Sequence, residues 1–477
     1  MVQPNASTLS VTSPRWPLQL GLVVCICLAC LVGFASRPMG YLAALWPANA
    51  IMLGILLRHP QLGRSGWTWV LALLAYMLTD WVSGSELFVV LTLNTANVMG
   101  VLGAWLFLSR QSPAVLGFQR QRSVLVLFVG SVIGAVVCTV FGALASSAAF
   151  GVPLLQSIAL WLSGEFFSYI LLLPMFMAAP RGWIWQWPRS AHKELPTPWP
   201  LVAVLISEVL SLVIGGPGAI AFLMPAMVWS AMTYSVQAIT VLNVVICLGK
   251  TAILALGHFS FTPDHVMDAV SYRSGLAMLS LAPLAVACAY VLRMQTLQRL
   301  NHAVNHDFLT GVLARRALME RGQKLLTRLA QEGQSIAVLM VDMDHFKQIN
   351  DRYGHAQGDA VLQAFALQAH KALRPEDLVG RMGGEEFAIV LPRTTHEQAL
   401  RVAQRLCGLM RQQVFQVNPQ QEIRITVSIG LYAATESVPS DSLEALLSRA
   451  DQALYRAKNS GRNQVQSYDA SLELADV

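Results

Sequence analysis

The chain has 477 residues, of which 55% are apolar and only 13% charged, with a formal net charge of +6. Ordinary soluble domains carry about a quarter charged residues, so this balance excludes a purely soluble protein, and the length calls for at least two domains. The basic residues flank apolar runs and form no dense patch interleaved with aromatics, which points to a membrane surface and excludes nucleic acid as a partner.

Apolar runs recur from Leu18 to about Met294, whereas from Gln295 onward charge appears at the density of a soluble domain. Measured against the roughly 20 residues that cross a bilayer, candidate spans fall near 18–36, 41–57, 66–83, 87–108, 124–148, 154–178, 199–215, 217–235, 239–258 and 275–293. Some are short or interrupted by Pro and Gly, so the expectation is 8–10 transmembrane helices. The first run has only Arg15 before it and is long, which reads as a retained anchor and not a cleaved signal. Arg58 and Arg64, then Arg110, Arg120 and Arg122, then Arg181, Arg189 and Lys193 occupy alternate loops. The positive-inside rule puts these loops and both termini in the cytoplasm and makes the crossing number even. Of seven cysteines, six lie in predicted spans and Cys407 in the soluble part, with no disulfide or zinc pattern.

Polar residues inside the apolar region are Asn49, Asp80, Asn94, Asn97, Glu165, Glu208, Asn243 and Lys250. Such groups are costly in hydrocarbon and face a partner, a cavity or water. Two readings stand: hydrogen bonding between helices, or a ligand or ion pocket centred on Asp80 and Glu165. The segments Leu45-Trp46-Pro47-Ala48-Asn49-Ala50 and Leu160-Trp161-Leu162-Ser163-Gly164-Glu165, followed by Leu171-Leu172-Leu173-Pro174, resemble a bacterial membrane sensor domain of the first MASE class. The resemblance covers most of residues 18–293; where that family commonly reads Trp-Pro-Pro-Ala-Gly, this chain carries Asn49.

Between Tyr290 and Asn305, Leu292, Leu297, Leu300 and Val304 form a near-helical stripe. The pattern predicts a connecting helix over 294–306, either solvated or paired with a second copy as a short coiled coil.

From Asp307 the pattern alternates strands and helices. Ser335–Asp342 reads as a buried strand, Asp359–Leu373 as a helix, Leu378–Arg381 and Phe387–Pro392 as a hairpin, His396–Arg411 as a helix and Ile423–Ala433 as a strand; Leu443, Leu446, Leu447, Ala450 and Leu454 mark a last helix. The fold class expected for the whole chain is an α-helical polytopic membrane domain followed by an α/β (α+β) domain with a central, mainly antiparallel sheet. The domain boundaries expected are 1–293, 294–306, 307–466 and a short tail, 467–477; no second catalytic domain is expected after Val465.

The hairpin turn reads Arg-Met-Gly-Gly-Glu-Glu-Phe from Arg381. Gly383 and Gly384 allow a tight turn and close approach of a polyanion, and Glu385 and Glu386 supply hard oxygen ligands or an acid/base. Val341-Asp342-Met343-Asp344 ends the neighbouring strand, so Asp342 and Glu385 are expected to share Mg²⁺, which takes few protein carboxylates and completes its shell with water and phosphate.

Together these motifs resemble the GGDEF family of diguanylate cyclases, whose domain has a nucleotidyl-cyclase palm-like fold. The match runs from Asp307 to about Gln464, through Asp307-Phe308-Leu309-Thr310, Asp342 to Asp351, Tyr353-Gly354-His355, Gly358-Asp359, Ser428-Ile429-Gly430, Tyr455-Arg456-Ala457-Lys458 and Gly461-Arg462-Asn463. The resemblance implies condensation of two GTP into cyclic di-GMP with two Mg²⁺ or Mn²⁺ per half-site. Asp342, Glu385 and the Met343 carbonyl would bind metal. Asn350 and Asp359 would read guanine, with Phe346, Gly383, Gly384, Lys458 and Arg462 completing the substrate site. Glu386 and Lys347 would act in catalysis, Glu386 near the attacking 3′-hydroxyl. Glu385 stands where the family name has Asp, and keeps the carboxylate. Leu313 and Ala314 stand where Pro and Asn are common. Arg374-Pro375-Glu376-Asp377 resembles the family's inhibitory product site, assigning Arg374 and Asp377 to cyclic di-GMP.

A ring product with two identical linkages requires a homodimer of half-sites. The expected location is the bacterial inner membrane, lipid-embedded and multi-pass, with the catalytic domain cytoplasmic. The alternatives are a catalytically idle domain acting as a cyclic di-GMP or GTP receptor, and a transporter with a regulatory tail.

Overall fold

The computed structural model describes residues 16–36, 45–179, 197–215, 217–253, 266–418, 421–434 and 442–469. Arg181, Arg189, Lys193 and the tail beyond residue 469 lie outside them. The chain divides into two compact units, Met1–Gln295 and Thr296–Val477.

Among the described residues of the first unit every one of the ten expected positions carries helix, and five of these helices are long and apolar enough to cross a membrane: Trp16–Ala35, Leu87–Leu108, Ser123–Phe150, Leu154–Ala178 and Val266–Asn305. One of the shorter helices has a local cause. Pro60 stops the helix Pro47–Arg58, because the residue before a proline is pushed out of helical geometry. Its 12 residues reach about 18 Å at 1.5 Å per residue. Glycines let the long helices meet closely: a Cβ on Gly134 would press on Tyr169 and Ala104, and one on Gly142 on Trp161. Arg58 Nη1 donates to the carbonyls of Phe176 and Ala179 at 3.1 and 2.6 Å, so two helix C-termini finish at the same end of the bundle on one cation.

The 40-residue helix Val266–Asn305 crosses the boundary between the units and carries Leu297, Leu300 and Val304 exposed. Three of the four residues of the expected stripe are thus exposed on this helix.

The second unit contains the strands β1 (Leu313–Ala314), β2 (Ile336–Met343), β3 (Leu378–Gly383), β4 (Glu386–Pro392), β5 (Val414–Asn418), β6 (Gln421–Arg424), β7 (Val427–Ala434) and β8 (Val465–Ser467). The main sheet has the order β1-β3-β4-β2-β7-β8. Its four central strands are antiparallel and the two outer pairings parallel. β2 is buried along its whole length, which explains its unbroken apolar run. The helices Phe346–Tyr353, His355–Ala372 and His396–Gln412 cover one face, and Arg315–Gln331 and Leu443–Asn459 the other.

The strand expected over Ile423–Ala433 is two strands. β6 pairs with β5 in a separate hairpin, and the chain breaks at Ile425 and Thr426 before β7 joins β2. The break frees Thr426, whose carbonyl accepts from the Asp344 N–H at 2.9 Å and whose hydroxyl donates to Asp344 Oδ2 at 2.7 Å. Apolar periodicity runs through such a break unmarked, because Ile425 is itself buried.

Candidate active site

The β2/β4 register pairs Asp342 directly with Glu386, and the β2/β7 register pairs it with Ser428 on the other side. The β3–β4 turn supplies the remaining carboxylate. Gly384 adopts φ +52°, a left-handed conformation that costs a side-chain-bearing residue roughly 1–2 kcal/mol. Arg381 fixes the turn, donating from Nε and Nη2 to the Gly384 carbonyl at 2.9 and 2.6 Å while Nη1 meets Asp307 at 3.2 Å. Asp307 also accepts from the Thr310 N–H and hydroxyl at 2.9 and 2.6 Å. Burial alone would raise the Asp307 carboxyl, but Thr310 and the Arg381 guanidinium hold it below its ordinary range. The opening Asp-x-Leu-Thr motif thus braces the glycine turn.

Lys458 arrives from the other face of the sheet. A Cβ on Gly430 would overlap the Ala450 carbonyl and the Leu454 N–H, so the bare glycine lets helix Leu443–Asn459 lie directly on β7. That helix carries Lys458 Nζ to 2.8 Å from Asp342 Oδ2. Asp342 is only 6% exposed. Burial raises its carboxyl above the usual range, with Glu385 and Glu386 pushing the same way and Lys458 opposing.

Asn350 and Asp359 sit on consecutive helices, Phe346–Tyr353 and His355–Ala372. Gly358 makes their approach possible, since a Cβ there would overlap Asn350 Oδ1 and press on Phe346. Asn350 is half-buried, Asp359 exposed, and Lys347 exposed on the same short helix, while Phe346 and Met343 are buried. Arg462, exposed, follows helix Leu443–Asn459 in a left-handed turn, φ +61°.

That turn is tied down by Asp344, a residue that spacing alone does not single out. Asp344 accepts from Thr426 Oγ1 and Ser428 Oγ, both at 2.7 Å, and from the Asn463 N–H at 3.0 Å. The second carboxylate of Asp-Met-Asp is therefore fully engaged in positioning its neighbours.

Arg374 and Asp377 are also adjacent, but not as an ion pair closed on itself. Asp377 Oδ2 accepts from the Arg374 backbone N–H at 2.7 Å, a contact that does not use the Arg374 guanidinium. Burial, then the neighbouring Glu376, push the Asp377 carboxyl up against that hydrogen bond. Both residues line a cavity of about 460 Å³ with Thr394, Gln398, Arg401 and Arg405. The two added arginines are four apart on helix His396–Gln412, a spacing that puts them on one face.

Residues 304–464 match the family model "Diguanylate cyclase, GGDEF domain", and residues 17–293 match the MASE1 model. The chain belongs to the membrane-associated GGDEF diguanylate cyclase family, with an N-terminal MASE1 membrane sensor domain and a C-terminal domain of the cyclase palm fold. The probable diguanylate cyclase DgcF of Escherichia coli O157:H7 is 30% identical over 438 residues, covering 91% of this chain and 90% of the relative. Diguanylate cyclase DgcM of Escherichia coli (strain K12) is 43% identical over 171 residues, 35% of this chain and 39% of the relative. Among solved structures, the GGDEF domain of DgcB from Caulobacter crescentus in complex with c-di-GMP is 28% identical, with a TM-score of 0.33, covering 35% of this chain and 94% of that one.

Cyclases of this family use divalent metal ions, and the donor set here fits one. Burial raises the Asp342 carboxyl, the Glu385 and Glu386 carboxylates add to that rise, and the Lys458 cation sits against it. Among the described residues no three His, Cys, Asp or Glu side chains form a ready-made cage. A sparse oxygen set completed by phosphate suits Mg²⁺ or Mn²⁺ and does not suit the closed nitrogen and sulfur sites of zinc.

Proposed function

We propose that this chain condenses two GTP molecules into cyclic di-GMP, releasing pyrophosphate twice, at the interface of a homodimer in the bacterial inner membrane with its cyclase domain in the cytoplasm. The observation that carries the reading is the end of β2, where Asp342, opposite Glu386, holds Lys458 beside the Gly383-Gly384 turn. In this reading Asn350 and Asp359 hydrogen-bond the guanine edge above Phe346. An adenine there would leave those polar groups unmatched, which discriminates strongly. Gly383 and Gly384 leave the phosphates room, and Lys347, Lys458 and Arg462 neutralise them. Asp342, Glu385 and the Met343 carbonyl would hold the divalent ions, two per half-site as the family resemblance implies.

When bound, those ions polarise the α-phosphoryl group and make the attacking hydroxyl more acidic. Glu386 faces that hydroxyl and takes its proton as the 3′-oxygen bonds to the α-phosphorus of the other nucleotide and the bond to pyrophosphate breaks. Each half-site orients one nucleotide, so two copies make both linkages. Cyclic di-GMP at Arg374, Asp377, Arg401 and Arg405 feeds back on the enzyme, since Arg forks suit phosphate and guanine edges.

The test is product formation by the purified full-length chain in detergent with GTP and Mg²⁺, read by mass spectrometry. Cyclic di-GMP is expected from wild type and none from Glu386→Gln. A folded, dimeric wild-type preparation that binds GTP without turning it over would overturn the cyclase reading in favour of a receptor.

A further inference from the structure

Two histidines stand one turn apart where the helix Val266–Asn305 ends. His302 is exposed and His306 half-buried. The His306 backbone N–H still donates to the His302 carbonyl at 2.9 Å, so both belong to the last helical turn. Residues four apart share a helix face, and here the two imidazoles stack with centroids 4.2 Å apart and planes at 25°. Rings held this closely can offer two nitrogen lone pairs to one ion.

His306 is oriented for that task. Its Nδ1 lies 2.9 Å from the Gly311 carbonyl. A carbonyl can only accept, so Nδ1 carries the hydrogen and Nε2 of the neutral ring keeps its lone pair. A backbone carbonyl on the far nitrogen is the usual way in which a metal-binding histidine is fixed in tautomer and direction. The chain turns back to supply it: the Gly311 N–H donates to the Asp307 carbonyl at 2.9 Å, and Gly311 holds φ +72°, a conformation open to glycine at little cost. The helix C-terminus adds partial negative charge, which favours a cation there. Among the described residues no three His, Cys, Asp or Glu side chains gather, so water would complete the shell of an ion held by this pair. Imidazole suits zinc, nickel and copper, whereas magnesium prefers oxygen, which separates this pair chemically from the carboxylates at the end of β2.

The pair also lies clear of the apolar stripe. His302 and His306 each follow a stripe residue, Leu300 and Val304, by two positions, which at 3.6 residues per turn is about 200° round the helix. A second copy packed on the stripe would leave both imidazoles open. Toward the cyclase domain, His306 bridges to Leu313, and Leu313 and Ala314 pair with Gly380 and Arg381 on β3, the strand that ends at Gly383. We propose that His302 and His306 bind one divalent ion of the imidazole-preferring class, zinc foremost, and that the ion pins the last helical turn where the chain enters the cyclase domain. Metal–nitrogen bonds of about 2.0–2.1 Å need the two nitrogens about 3–3.5 Å apart. The rings already stack at 4.2 Å, so small rotations of the exposed His302 side chain close the chelate onto the fixed His306 ring.

The experiment titrates Zn²⁺ and Ni²⁺ into the untagged full-length protein in detergent, with excess Mg²⁺ present to hold the carboxylate site. Calorimetry reads binding, and amide hydrogen exchange reads residues 300–306. Wild type is expected to bind Zn²⁺ and Ni²⁺ saturably, with exchange in that turn slowed at least 10-fold. His302→Ala and His306→Ala are each expected to weaken binding at least 10-fold and to abolish the slowing. His302→Ala leaves the Gly311 hydrogen bond in place, so it separates loss of a ligand from loss of the turn. His370→Ala, which removes an exposed histidine of the helix His355–Ala372, is expected to leave both readouts unchanged. Helical content and monodispersity of each variant show that it is folded. Neither readout uses GTP, so the result stands apart from the cyclase reading. No binding of either ion to folded wild type would overturn the proposal. So would binding equally tight in His302→Ala and His306→Ala, or binding that leaves exchange in the turn unchanged.

Discussion

Lys458 Nζ lies 2.8 Å from Asp342 Oδ2, a cation delivered across β7 to a buried carboxylate of the candidate site. The same lysine is assigned to the triphosphate, so its two partners compete for it. Lys458→Met removes the ammonium that opposes the charge of Asp342, Glu385 and Glu386. Metal binding without nucleotide is expected to tighten, because the protein cation no longer occupies an Asp342 oxygen. GTP binding is expected to weaken by about 10–100-fold, the worth of a hydrogen bond to a charged group at roughly 1.5–3 kcal/mol. Titration of Mn²⁺ by electron paramagnetic resonance and nucleotide affinity by calorimetry read the two effects separately. Both moving in the same direction would contradict the competition.

Gly430→Ala tests how that lysine is delivered. Its Cβ would meet backbone atoms of Ala450 and Leu454, which cannot swing aside as a side chain can. Overpacking of this kind costs typically about 1–3 kcal/mol, and the displaced helix would draw Lys458 from Asp342. The soluble unit is expected to lose that stability in urea denaturation and to lose GTP turnover with it. A variant as stable and active as wild type would show that the helix seats itself by other contacts.

Asp307 yields a prediction with a definite sign in pH. Its folded carboxyl lies below its ordinary 3.8 because Thr310 and Arg381 favour the charged form over the opposing effect of burial. A depressed carboxyl stabilises the fold fully above the ordinary value, and the contribution fades as pH falls through 3.8 and on through the folded value. Asp307→Asn should therefore be less stable than wild type at pH 6, with the gap closing as the solution is taken below 3.8. Urea midpoints of the two proteins across that range provide the measurement; a gap that stays constant would exclude ionisation as its cause.

Much of this was legible in the sequence because the cyclase motifs join local chemistry to local geometry. Gly383-Gly384 required a turn, and the turn set Glu386 across from Asp342. The signal failed where tertiary partners decide. The split between β6 and β7 is set by hydrogen bonds of Thr426 with Asp344, 82 residues away, which no periodicity encodes. Hydropathy reads composition and leaves helix length unmarked, whereas Pro60 ends the helix Pro47–Arg58 after 12 residues. Asn49, a departure from the sensor family's pattern, proved to be the residue that joins Asn97, Glu165 and Tyr76.

The departure at Ala314 carries its own consequence. Ala314 is the N-cap of helix Arg315–Gln331, with extended backbone angles of φ −67° and ψ 154° and no side-chain hydrogen bond to the first turn. Asn, Asp or Ser in that geometry accepts from a free backbone N–H, and the difference from Ala is typically about 1 kcal/mol. Ala314→Asn is expected to stabilise the soluble unit by that amount, read as a higher urea midpoint with an unchanged slope. No gain would mean that the pairing of Leu313 and Ala314 with Gly380 and Arg381 holds the cap away from the N–H groups.

Arg401 tests the proposed feedback site most cleanly. Arg405 donates to the Ala372 carbonyl and Asp377 holds the Arg374 backbone, so changing either also disturbs the local fold. Arg401 is exposed, with only a 3.9 Å pairing to Glu397 on its own helix, yet it lines the same cavity. Losing one charge-assisted contact to a bound dinucleotide, worth roughly 1.5–3 kcal/mol, should raise the cyclic di-GMP concentration needed for half-inhibition by about 10–100-fold. The uninhibited rate should stay at the wild-type level, because Arg401 is remote in role from Asp342, Glu386 and Lys458. Initial rates at increasing product concentration make the comparison, and unchanged inhibition in Arg401→Ala would remove this residue from the product site.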